Sequence, residues 1–168
     1  MGRIIIQSPG LLTTIQDEGR YGYQRFGMPV SGAMDIFSFR IANLLVGNPP
    51  GSACLEATLT GPEIAFDAPC VVAITGADMQ PALNGEPVRN WESLRCDKGD
   101  FLSFGTIRSG CRSYIAFSGG IDVPVVMGSR STFLRAGTGG FQGRALQKGD
   151  VLHLGRNDGK DLLPHKNK

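Results

Sequence analysis

"ACLEATLTGPEIAFDAPCVVAITG", residues 53–76, contains three consecutive β-type runs. "ACLEATL", "EIAFDA" and "CVVAITG" are too short for helices, and Gly61-Pro62 and Ala68-Pro69 break them apart. The pattern extends in both directions. "PALNGEPV" sets Asn84-Gly85 between two extended arms, a hairpin signal because both residues tolerate the positive φ of a type I′ turn. "ESLRC", "DFLSFG" and "RSYIAFSGG" continue the series, with Lys98-Gly99 and Ser109-Gly110 as turns, and "LQKGDVLHLG" ends it. Upstream, "RIIIQS" and "LLTTIQ" read as two strands joined by a tight turn at Pro9-Gly10. Short strands with a turn every ~8–12 residues predict a mainly β fold, a closed or nearly closed barrel.

One long helix interrupts the strands, in "GMPVSGAMDIFSFRIANLLVGNPP", residues 27–50. Met34, Phe37, Ile41, Leu44 and Leu45 recur at helical spacing, and Gly47-Asn48-Pro49-Pro50 stops the helix. Phe39, Ala42 and Val46 lie on its other faces, so the pattern predicts a largely buried helix. Ser31 is placed to cap it. Gly32 and Ala33 would then leave first-turn amides uncovered, a setting that suits an anion. Asp35 in the first turn complements the helix dipole on the plainer reading. A capping box would put Glu or Gln at position 34, where Met34 stands.

At 168 residues, 41% hydrophobic and 19% charged, the chain suits a folded protein able to bury a core, read as a single domain over 1–168. The net charge of +2 is scattered, which gives no reason to expect nucleic acid or an anionic membrane. The basic tail His165-Lys166-Asn167-Lys168 reads as a solvated end. No stretch has the hydrophobic core of a signal peptide or the length of a membrane span. Cys54, Cys70, Cys96 and Cys111 are spaced 16, 26 and 15 residues apart without a C-x-x-C pair, so buried free thiols and a cytoplasmic location are expected.

The common catalytic templates are missing. His153 and His165 have no partners arranged for a triad or a metal site, so no metal is expected. No phosphate-binding G-x-x-x-x-G-K-[ST] loop occurs, and "GTGGFQGRA" follows no strand-to-helix pattern. Three stretches hold candidate chemistry. In "TTIQDEGRYGYQRFG", Asp17 and Arg20 are either a surface ion pair or an acid and a guanidinium at a pocket rim, where Arg can grip a carboxylate with two parallel hydrogen bonds. The helix start offers Ser31, Gly32 and Asp35. "FSGGIDVPVVMGSRSTFLRAG" offers Ser129, Arg130 and Ser131, read either as a capped turn or as a hydroxyl-rich binding group.

At these same stretches the chain resembles a known family. "TTIQDEGRYGYQRFGMPVSGAMD", "ANLLVGNPPGSACLEATLTGP", "AITGAD", "SGGIDVP" and "MGSRSTFLRAGTGGFQGRALQKGD" resemble the biotin-dependent carboxyltransferase / allophanate hydrolase subunit 2 family, over about residues 4–155. Its bacterial members include the C component of 5-oxoprolinase. The resemblance implies cyclophilin-like β barrels and assembly with a related protein, the B component of 5-oxoprolinase, and a third subunit of another fold. Family members run about twice this length, so the usual second half is not expected here. The function it implies is a subunit of an ATP-dependent 5-oxoprolinase, opening 5-oxo-L-proline to L-glutamate, with ATP bound somewhere in the complex. In that reading Asp17 or Asp35 handles protons, while Arg20, Ser31, Gly32, Ser129, Arg130 and Ser131 hold substrate. One alternative is the carboxyltransferase part of a biotin-dependent urea or amide carboxylase; this chain has no A-M-K-M-like biotin-carrying segment, so biotin would ride on a separate or fused carrier. The other is a regulatory module that binds a partner and does no chemistry.

Overall fold

The computed structural model describes residues 2–157; the tail with His165 lies outside them. Among the described residues are eleven strands and one α-helix: β1 (Arg3–Ser8), β2 (Leu12–Gln16), α1 (Ile36–Leu45), β3 (Cys54–Thr58), β4 (Glu63–Phe66), β5 (Cys70–Asp78), β6 (Pro81–Leu83), β7 (Glu86–Pro87), β8 (Ser93–Cys96), β9 (Phe101–Phe104), β10 (Ser109–Phe117) and β11 (Val151–His153). Single 3-10 turns occur at Gln24–Phe26 and Leu134–Ala136.

The strands form two antiparallel sheets. One has the order β11-β1-β4-β9-β6-β7 and the other β2-β3-β10-β5-β8. The fold is mainly β with one long helix, as the sequence indicates. The barrel is divided into two facing sheets, and no continuous ladder closes it among the described residues. Pro9-Gly10 turns out to be a corner between sheets rather than a hairpin, since β1 pairs with β4 and β11 while β2 pairs with β3. Gly10 is required there: its φ is +67, and a Cβ would lie 2.5 Å from the Thr60 carbonyl oxygen. Asn84-Gly85 does make the predicted two-residue hairpin turn, with φ of 51 and 84.

Burial explains the runs that lack alternation. In β5, Val72 and Ile74 face the core between the sheets, together with Ile4, Ile6, Leu55, Ile64, Leu102, Ile115 and Phe117. The intervening Ala73, with Ala116, Tyr114 and Cys54, points the other way and packs against Phe39, Ala42 and Val46 of α1. The five-stranded sheet is therefore covered on both faces, and the small residues Ala73, Ala116 and Cys54 let the helix sit close. Fully burying a side chain such as Phe39 contributes ~1.5–3 kcal/mol.

The sequence expectations for α1 need two corrections. The cap is Asp35, whose Oδ1 accepts from the Ser38 amide at 3.0 Å; Ser31 lies well before α1, with φ +55, and does not cap it. Met34, Phe37 and Leu44, expected inside, are exposed. Gly47 ends the helix in the left-handed region, φ +77, as its sequence suggests. Cys54, Cys70 and Cys96 are buried free thiols, and Cys111 is free and exposed. Burial pushes the Cys70 thiol up to about 12, so it stays protonated. Among the described residues no helix is long and apolar enough to cross a membrane.

Candidate functional site

The end of β2 meets the 126–132 segment in a dense polar knot. Asp17 Oδ1 accepts from the Gly19 amide at 2.9 Å and from the hydroxyls of Ser129 and Ser131 at 2.6 Å each. Its Oδ2 accepts from the Arg130 amide at 2.6 Å. Ser131 Oγ also accepts from the Asp17 amide at 3.1 Å. Arg20 is fully buried beside this knot. Its Nε donates to the Val126 carbonyl at 2.8 Å and its Nη2 to the carbonyls of Ser131 and Ser129 at 3.0 and 3.5 Å. Neither sequence reading of Asp17 and Arg20 describes this arrangement. The two do not pair with each other; each ties the 126–131 segment to the chain after β2. Arg130 Nε in turn donates to the Val123 carbonyl at 2.9 Å.

Ser31 and Gly32 join the knot through the backbone. The Arg20 amide donates to the Val30 carbonyl at 2.6 Å and the Ala33 amide to the Asp17 carbonyl at 3.0 Å. Gly32, at φ +89, comes so near that a Cβ would sit 2.9 Å from Gly19 Cα. The small residues before α1 are explained by this close approach. The amides that follow are already taken: Met34 donates to Glu56 Oε2 at 2.9 Å and Asp35 to the Tyr114 hydroxyl at 2.9 Å. The anion dock expected on these amides is therefore filled largely by the protein's own acceptors.

Next to the knot a pocket of about 250 Å³ opens, lined by Thr14, Gln16, Ser31, Gly32, Glu56, Thr132, Leu134 and Arg135 among others. Gln16 is fixed by Nε2 bonds to Thr14 Oγ1 at 3.0 Å and to the Thr132 carbonyl at 3.4 Å, while its buried Oε1 has no partner among the described residues. Glu56 Oε2 accepts from the Tyr114 hydroxyl at 2.8 Å, and its Oε1 lies 3.7 Å from Arg112 Nε. Burial pushes the Tyr114 hydroxyl far above the ordinary phenol range, and the Glu56 charge adds to the shift, so Tyr114 serves as a donor. Arg135 is exposed at the pocket.

Of the residues expected at a site, the structure brings Asp17, Arg20, Ser129, Arg130 and Ser131 into the knot. It places Ser31 and Gly32 in the pocket wall. Asp35 lines a different cavity with Phe37 and Trp91. Gln16 and Thr132 stand beside the expected residues in the same two stretches, whereas Glu56 and Arg135 were missed. Arg135 ends the same "GSRSTFLR" run as Ser129, but Glu56 sits inside an ordinary strand pattern with nothing local to mark it.

The family model described as carboxyltransferase domain, subdomain A and B, matches residues 26–167. A urea amidolyase of Lachancea kluyveri is 47% identical over 150 residues, which cover 89% of this chain and 8% of that protein. A 5-oxoprolinase subunit of Escherichia coli, the C component of that enzyme, is 43% identical over 148 residues, covering 88% of this chain and 48% of that protein. Among solved structures, the urea amidolyase of K. lactis superimposes with a TM-score of 0.88 at 45% identity, over 90% of this chain and 9% of that one. The chain thus spans about half of the 5-oxoprolinase relative and under a tenth of the urea amidolyases.

Proposed function

This chain belongs to the carboxyltransferase domain A and B family, and from that membership we propose that it supplies the amide-binding pocket of an ATP-dependent 5-oxoprolinase, acting with a protein like the B component of 5-oxoprolinase and a third subunit. The observation that carries this reading is the composition of the 250 Å³ pocket: a carboxylate, a carboxamide and a guanidinium line one small space. 5-Oxo-L-proline is a small lactam with one carboxylate, so it calls for a cation, an acceptor for its N–H and a proton-handling group. Arg135 is the cation and can grip the carboxylate with two parallel bonds. Gln16 lines the pocket, its Oε1 has no partner among the described residues, and in this reading it turns to accept from the lactam N–H. Glu56 takes the proton-handling role that the sequence suggested for Asp17 or Asp35. Asp17 is engaged by four donors, and Asp35 caps α1. Ser129, Arg130 and Ser131 act from behind, holding the wall in place. In this reading ATP binds outside this small pocket.

The test is 5-oxoproline-dependent ATP hydrolysis and glutamate formation by the assembled complex. Arg135→Ala should raise KM at least ten-fold with a smaller effect on kcat, and Glu56→Gln should lower kcat at least a hundred-fold. Unchanged kinetics in both variants would overturn the assignment.

A second reading, a carboxyltransferase acting on urea, is favoured by the 47% identity to the urea amidolyase of Lachancea kluyveri. Urea has no carboxylate, so Arg135→Ala should then leave its KM unchanged. Urea-dependent turnover in the presence of a biotinylated carrier, with none on 5-oxoproline, would establish it.

A further inference from the structure

The pocket wall continues as a row of polar side chains across the five-stranded sheet. Thr14 on β2, Glu56 on β3, Tyr114 on β10 and Thr75 on β5 stand opposite one another in register. Residues opposite in a ladder point to the same face, here the one that α1 covers. Thr14 and Glu56 line the pocket. Tyr114 lies beside them, fully buried, with the Phe39 ring edge-on at 6.3 Å. A phenylalanine would fill the same space against Phe39; the hydroxyl is what calls for an explanation.

That hydroxyl has one proton, and its neighbours decide where it goes. The Asp35 amide can only donate, and it does so to the Tyr114 oxygen at 2.9 Å. The phenol proton is therefore directed to Glu56 Oε2, 2.8 Å away. The Met34 amide donates to the same Oε2 at 2.9 Å. Two donors that cannot be reversed thus meet one carboxylate oxygen, which could hold a proton only by giving one of them up. Oε1 differs. Beside it stands Arg112, with Nε at 3.7 Å, beyond hydrogen-bond length. Asp17, by contrast, has donors on both oxygens, which is why Glu56 suits proton transfer and Asp17 does not.

We propose that Tyr114 is a positioning residue for proton transfer in this pocket: with the Met34 amide it holds Oε2, so that Glu56 takes up and returns its proton through Oε1. This rests on the reading of Glu56 as the proton-handling group and adds the atom that does it. The proton that Oε1 takes up is given back to the product nitrogen, so Glu56 ends each turnover ionised. The Tyr114 proton never leaves its own oxygen.

The test is a double-mutant cycle in the assembled complex, read as 5-oxoproline-dependent ATP hydrolysis and glutamate formation. Tyr114→Phe keeps the ring against Phe39 and removes one oxygen. It should melt cooperatively, lower kcat about ten-fold or more and leave KM within about two-fold. Glu56→Gln keeps an oxygen for both donors. Adding Tyr114→Phe to Glu56→Gln should change the residual kcat by less than about two-fold, because the hydroxyl acts only through Glu56. A hydroxyl that merely supported the fold would lower the rate by the same factor in both backgrounds, and that result would overturn the proposal. So would a Tyr114→Phe chain that loses cooperative melting, or whose loss appears in KM alone. If Glu56→Gln is slow while Tyr114→Phe turns over like the parent chain, the positioning role is overturned and the pocket reading stands. If Glu56→Gln itself turns over normally, the pocket reading falls and the role of Tyr114 falls with it.

Discussion

Asp17 shows how one carboxylate can organise a distant part of the chain. Its two oxygens take donors from Gly19, Ser129, Arg130 and Ser131, three of them more than a hundred residues away. Asp17→Ala leaves those donors without an acceptor in a half-buried setting, so it should cost about 2–4 kcal/mol in urea denaturation. Gly32→Ala tests the neighbouring contact. With φ at +89 and Gly19 Cα 2.9 Å from the added carbon, the backbone must shift. A loss of about 2 kcal/mol or more is expected, with thermal denaturation as the check. Arg144 and Asp150 give a pH signature. The hydrogen bonds from Arg144, at 2.8 and 2.9 Å, hold the Asp150 carboxyl below its usual range. In the unfolded chain this carboxylate protonates near its ordinary ~3.9, above its folded value. The contribution is therefore complete above about pH 5 and is lost as pH falls through the lower folded value. The stability gap between the parent chain and Asp150→Asn should be constant from pH 5 to 7 and narrow below about pH 4. None of these long-range contacts is legible in the sequence: Ser129 and Ser131 look like turn residues, and the 112- and 114-residue separations from Asp17 leave no local pattern.

At the scale of elements, the strands could be read because their cause is local. The Asn84-Gly85 turn needs positive φ, and it has it; the runs between the Gly and Pro breaks are strands. The helix was also legible as a helix, but not its orientation. Periodicity reports which residues share a face, and α1 has two apolar faces. The inward one is set by what it meets: Ala73, Ala116 and Cys54 form a shallow seat that takes Phe39, Ala42 and the small polar Ser38. Met34, Phe37 and Leu44 were left outside for that reason. The cap was misplaced because Ser31 and Asp35 both suit the role and the choice depends on tertiary partners. Asp35 is positioned by the hydrogen bond its amide N–H donates to the Tyr114 hydroxyl, which in turn donates to Glu56. Asp35→Ala should cost ~1 kcal/mol by chemical denaturation, and Asp35→Asn or Asp35→Ser should recover most of it. A loss no greater than a few tenths would show that Ser38 draws its support elsewhere.

For the whole molecule, the two sheets are unequal. β10 pairs with β3 on one side and β5 on the other, and its residues Ser113–Phe117 are all buried between the inter-sheet core and α1. The six-stranded sheet ends in the short pair β6 and β7, beside the large open cavity that Trp91 shares. Opening free energies follow burial and ladder position. Amide hydrogen exchange should therefore be slowest at residues 113–117 and 71–75, approaching the global unfolding limit, and fastest across residues 84–90. The pocket adds a sharper expectation. Its walls come from β2 and β3 of the well-ordered sheet and from the 126–135 segment, which carries little ladder pairing of its own and depends on Asp17 and Arg20. Arg20→Lys keeps a buried charge but cannot reach the same three carbonyls, so exchange should rise across residues 126–135 while 113–117 stay protected. If protection fell equally in both segments, Arg20 would be a support of the entire core. A change confined to residues 126–135 would identify it as the residue that positions one wall of the pocket.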